Sequence, residues 1–70
     1  MPIAAILQRW VSRLTREGGI HPDEAHSMMR LLAADTLNLP LRELAFHMLD
    51  EADTATQHAI DMLAQRLLEV

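Results

Sequence analysis

The sequence predicts a single all-α domain over residues 1–70, a small bundle of about four short helices that dimerisation can complete. Three observations predict it. Apolar residues recur at helical spacing along most of the chain. Residues that favour strands are scarce, with no Tyr. Glycine, proline and acidic punctuation then cuts the chain into pieces of helix length.

The segment Pro2 to Glu17 carries the clearest pattern. Ile3, Ile6, Leu7, Trp10, Val11 and Leu14 follow the i, i+3, i+4, i+7 spacing of one helical face. Pro2 suits the first turn, where its missing N–H would be unpaired in any case. Gly18-Gly19 ends the helix, because glycine readily takes the left-handed conformation at a C-terminal cap.

A second helix opens at His21-Pro22-Asp23-Glu24, with proline near the first position and two carboxylates where the helix dipole favours them. Ala25, Met28, Met29 and Leu32 mark its apolar face, Ile20 can staple back onto it, and it should fade between Ala34 and Asn38. Leu39 precedes Pro40 and is biased away from α geometry. A third helix is expected from Pro40 to Asp50 or Glu51, facing inward through Leu41, Leu44, Ala45 and Met48. Thr54 and Gln57 read as a capping box for a last helix, about Ala55 to Glu69. Its face is Ala59, Ile60, Leu63, Ala64 and Leu67. Whether these last two helices are separate or continuous is open at this level.

Composition excludes several classes of function. There is no cysteine, hence neither disulfide nor thiolate-bound zinc. The formal net charge is −4 and every positive charge is an arginine, which argues against nucleic acid as a partner. No apolar run approaches the roughly 20 residues of a membrane span, and the N-terminus lacks the pattern of a secretory signal. The expected location is cytoplasmic.

Three His–carboxylate pairs lie at helical spacing: Asp23 with His26, Glu43 with His47, and His58 with Asp61. Nothing in the spacing makes two of them converge, so they read as solvated histidines; no metal and no cofactor is expected. Ser12 and Ser27 have no glycine elbow to present them as nucleophiles. Gly18-Gly19 follows a helix, the wrong context for a phosphate loop. No catalytic residue is assigned and the chain is not expected to be an enzyme.

Two features point instead to a partner protein, which can be a second copy. Arg9, Arg13 and Arg16 form a stripe beside the first apolar face. The first 17 residues carry net +2, whereas from Thr36 onward six acids face Arg42 and Arg66, a net of −4. The stripe can steer an acidic partner, pair with the acidic part of its own bundle or of a dimer, or simply be solvated. The second feature is apolar residues off the core faces: Phe46 and Leu49 on the third helix, Met62 and Leu68 on the fourth. In a small bundle they serve either a core buried on two sides or an interface.

Four stretches also carry a likeness: Asp23-Glu24-Ala25, Leu37-Asn38-Leu39-Pro40-Leu41-Arg42-Glu43-Leu44, Asp50-Glu51 and Leu63-Ala64-Gln65-Arg66. Over these positions the chain resembles the N-terminal helical domain of the release-factor glutamine methyltransferases. The resemblance implies a substrate-recognition domain that contacts a release factor, without catalysis of its own. The family's glycine in the Leu-x-Leu turn is missing here, as are its paired arginines, its Gly-Glu-Pro and its Asn-Pro-Pro-Tyr motif, so no catalytic residue is carried over. The expected function is therefore a small non-catalytic interaction module, an adaptor or regulator. A release-factor-recognising domain and a nucleic-acid-binding regulator are the alternatives.

Overall fold

The apolar spacing from Ile3 to Leu14 becomes one continuous buried stripe. All six of its side chains are at most 6% exposed in the computed structural model, which describes residues 1–69. They lie on helix α1 (Ile3–Gly18), which is followed by α2 (Pro22–Leu37), a 3₁₀ helix (Leu41–His47) and α3 (Thr54–Leu68). The chain is an all-α bundle; the described residues form no strand beyond a single antiparallel bridge between Pro2 and Glu51. No helix is long and apolar enough to cross a membrane among those residues.

Helix α1 packs on both α2 and α3, and α2 also covers the 3₁₀ helix. The α2 surface facing the core is small: Ala25, Ala33 and Ala34 surround Met29, letting the helices approach closely. Leu44 contributes from the 3₁₀ helix and Ile60 and Ala64 from α3. Met28 and Leu32, expected on the α2 face, lie at its half-buried margin.

The ends of α2 follow local chemistry. His21 occupies the N-cap and its Nδ1 accepts from the Asp23 N–H at 3.1 Å. At the other end Asn38 adopts the left-handed region (φ 57°), and its N–H and that of Leu39 return to the Ala34 carbonyl. Gly19 performs the same office after α1, at φ 66°.

Two expectations need correction. The third helix is not an α-helix from Pro40 to Glu51 but a seven-residue 3₁₀ helix. Of the four residues expected to face inward only Leu44 is buried: Leu41 is 48% exposed at the start of the helix, Ala45 rotates outward and is exposed, and Met48 is half-buried. A distant contact holds the chain just after it. The N-cap of α1, Pro2, has no side chain to satisfy the first N–H groups of the helix, and they take carbonyls from residues 48 and 50 instead. Ile3 N–H donates to Asp50 at 3.0 Å and Ala4 N–H to Met48 at 2.9 Å. The third and fourth helices are separate.

The second correction concerns α3. Its N-cap is Asp53, whose Oδ1 accepts from the Thr56 N–H at 2.7 Å, so Thr54 is already helical. A carboxylate is as good a cap as serine and better than threonine.

Truncating Leu14, fully buried in α1, to alanine is expected to cost about 2–5 kcal/mol, a large share of a small domain's stability, in urea unfolding followed by circular dichroism. Asn38→Gly is expected to melt near wild type and Asn38→Val well below it, since a β-branched residue resists positive φ. The Thr56 N–H holds the Asp53 carboxyl below the usual aspartate range. Its contribution to stability is therefore present above the ordinary aspartate pKa and lost as pH falls through the lower folded value. Asp53→Ala should melt a few degrees lower than wild type at neutral pH. The two melting curves should converge in acid, below about pH 4.

Candidate interaction surfaces

The contact that holds the chain after the 3₁₀ helix also shapes the surface beside it. Phe46 and Leu49 are 81% and 87% exposed, at the corner between the 3₁₀ helix and α3. The backbone under them is fixed. Besides the bonds from Ile3 and Ala4, the Asp50 N–H donates to the His47 carbonyl at 3.0 Å, and Ala52 N–H to Met1 at 3.1 Å. His47 Nδ1 and Asp50 Oδ2 meet at 2.8 Å and close the turn from the side-chain side. The corner is an apolar projection on a pinned frame, in contrast to a loose loop of few hydrogen bonds.

A second surface lies between α1 and α3. Trp10 is 6% exposed, and its Nε1–H donates to Asp61 Oδ1 across 2.7 Å, joining the two helices. The guanidinium of Arg13 sits 4.5 Å from the centroid of the indole and covers it. Arg13 is held from its other side by Glu17, with Nε donating at 3.0 Å. That bond is the main reason the Arg13 pKa is raised and the Glu17 carboxyl lies below its ordinary range. Around this pair opens a groove of about 480 Å³, bordered by Arg9 from α1 and by His58, Met62 and Arg66 from α3.

Comparison with family models, with curated proteins and with solved structures finds no match to this chain. Its surfaces therefore have to be read from their own chemistry.

Of the residues singled out in the sequence, the structure brings together Arg9, Arg13 and Met62 in the groove. Arg16 continues the stripe outside it, beside Gln8 and Ser12, and donates weakly to the Ser12 carbonyl at 3.4 Å. Phe46 and Leu49 stand apart at the corner. Leu68 is withdrawn: it is half-buried against the core, and its Cδ2 lies so near Gly18 that an added Cβ there would sit 3.3 Å away. Among the described residues no ion pair joins the stripe to the acidic half of the bundle, although Asp61 contributes to raising the Arg13 pKa. Arg13 finds Glu17 on its own helix, and Asp61 is occupied by Trp10.

The histidines behave differently from their sequence pairs. His47 takes Asp50 in place of Glu43, and His21, which no pair included, caps α2. No cluster of three or more His, Asp or Glu with metal-binding geometry occurs among the described residues. The Trp10–Asp61 bond spans 51 positions and no local pattern announces it. The His47–Asp50 pair, at i, i+3, was legible in principle.

The Trp10–Asp61 bond should be measurable as a coupling. Trp10→Phe leaves a half-buried carboxylate without its donor and is expected to cost about 1–3 kcal/mol in urea unfolding. In a cycle with Asp61→Ala the double variant should lose less than the two single losses added. Strict additivity would mean that the bond contributes nothing.

Proposed function

We propose that this chain is a non-catalytic protein–protein interaction module, an adaptor or regulator of the cytoplasm, that docks through the corner formed by Phe46 and Leu49. One observation carries the reading: the only phenylalanine of the chain and a neighbouring leucine are the most exposed of its large apolar side chains, on a backbone pinned by α1. In a chain this short, apolar side chains are needed inside. Burying Phe46 and Leu49 under a partner would contribute about 1.5–3 kcal/mol each, and the fixed backbone keeps the ordering cost of docking low.

A second reading has its own support. The release-factor glutamine methyltransferases, which the chain resembles from Asp23 onward, carry a glycine in the Leu-x-Leu turn where this chain does not. Asn38, inside Leu37-Asn38-Leu39, adopts the left-handed conformation that glycine takes most readily and asparagine next. The departure from the family pattern thus leaves the turn geometry available, and the partner implied is a release factor. Nucleic acid is the weaker alternative: Trp10, the aromatic ring beside the arginine stripe, is buried beneath Arg13 and offers no face to a base.

Phe46→Asp combined with Leu49→Asp should leave circular dichroism and melting temperature near wild type, since both side chains are outside the core. Affinity capture from the native host should lose the bound proteins by about tenfold or more. Undiminished capture would remove the corner from the interface. Purified release factor applied to the immobilised chain separates the two readings, because only the second requires it to bind.

A further inference from the structure

The groove between α1 and α3 has a chemistry of its own, distinct from the apolar corner. Its walls present cations from both sides, Arg9 and Arg13 on α1 and Arg66 on α3, with His58 at the rim. The apolar surface it offers is that of Met62, which is 49% exposed, beside the Trp10 indole that Arg13 covers. The lining carries three arginines against two carboxylates, Asp61 and Glu69, a local excess of positive charge in a chain of net charge −4. Asp61 accepts from the indole N–H and Glu17 is bound to Arg13, while Glu69 caps the C-terminus of α3 beside Arg66. Arg9 makes only a long contact with the Met1 sulfur, at 3.8 Å. Neither Arg9 nor Arg66 has a carboxylate partner among the described residues.

We propose that this groove binds an acidic peptide segment with an apolar anchor, supplied by another protein. The occupant follows from the arrangement. Guanidinium groups on two facing helices bind carboxylates in planar, paired hydrogen bonds, and Arg13, held between Trp10 and Glu17, is already oriented. Met62 between them is a soft, adaptable surface for one aliphatic or aromatic side chain. The groove is open along its length, which suits a chain segment better than an enclosed small molecule. Nucleic acid would find no exposed ring in the groove on which to stack a base, since Arg13 covers Trp10.

Trp10 is the only tryptophan, so its emission reports directly on the groove. The probe is a synthetic peptide of about twelve residues in which Asp and Glu flank a central Leu-Phe pair, a length that spans a helix groove. Controls are the same peptide with Lys for each acid, the acidic peptide with Gly for Leu-Phe, and oligothymidylate. The acidic apolar peptide should titrate Trp10 emission, more weakly as salt rises. Arg9→Glu with Arg66→Glu, and separately Arg9→Gln with Arg66→Gln, should weaken it by about tenfold or more at unchanged circular dichroism. Met62→Ser should abolish the advantage over the glycine control, and Phe46→Asp with Leu49→Asp should leave the titration unchanged.

The proposal is overturned by any of four results. These are no titration, equal binding of the lysine peptide, equal binding of oligothymidylate, or affinity indifferent to the arginine changes. Concentration-dependent sedimentation of the protein alone, abolished by Arg9→Glu with Arg66→Glu, would make a second copy the occupant and equally overturn it. Because the corner variant and the groove variants are read separately, failure of one surface leaves the test of the other intact.

Discussion

One helix holds this molecule together. Ile3, Ile6, Leu7, Trp10, Val11 and Leu14 supply nearly half of the buried apolar set, and α2 and α3 each close over a different part of that stripe. The remaining helices bring mainly alanine with a few larger side chains, Met29, Leu44 and Ile60. Small side chains on α2 allow its axis to come close to α1, which is how a short chain reaches native packing density without many large residues. The same economy makes α1 the reference to which both candidate surfaces are tied. The corner is suspended from its first turn, and the groove runs along its flank.

The first turn of α1 shows how a helix end can organise a distant segment. Four N–H groups at a helix start need acceptors, and proline at the N-cap offers no side-chain oxygen. The carbonyls of Met48 and Asp50 fill that need. In doing so they fix the backbone that follows the 3₁₀ helix, from which Leu49 projects. Phe46 stands off the core face in an α-helical reading and in the 3₁₀ helix alike, and it is exposed.

The sequence was legible where structure is local and repetitive. The α1 stripe needed only its period, and the start of α2 only its proline and first-turn acids. Asn38 lay within the stretch where α2 was expected to fade. The third helix was misread because Leu41, Leu44, Ala45 and Met48 fit an α-helical face, and their spacing does not distinguish it from a 3₁₀ helix that buries Leu44 alone. Asp53 was a different failure: the information was local, but Thr54 and Gln57 satisfied a familiar pattern one residue too late. For the surfaces, Arg9, Arg13 and Arg16 were visible as a stripe and Phe46 and Leu49 as off-face residues. The joining of Arg9 and Arg13 with Met62 and Arg66 required the Trp10–Asp61 bond, which no spacing encodes.

As proposed docking sites, the two surfaces would divide the labour of recognition according to how their charges are employed. At the corner the acids already serve the fold: Asp50 closes a turn with His47, and Asp53 caps α3. What the corner can offer a partner is apolar area, which supplies affinity but little discrimination. In the groove the balance is reversed. Asp61 is bound to Trp10 while Arg9 and Arg66 form no ion pair among the described residues, so under the proposal the groove would contribute directed charge, which governs approach and selectivity more than affinity. Salt therefore acts on the groove without touching the corner. Acid reaches the Asp53 cap only below the ordinary aspartate range, because the Thr56 N–H holds that carboxyl in its charged form, and the arginines have no proton to exchange there.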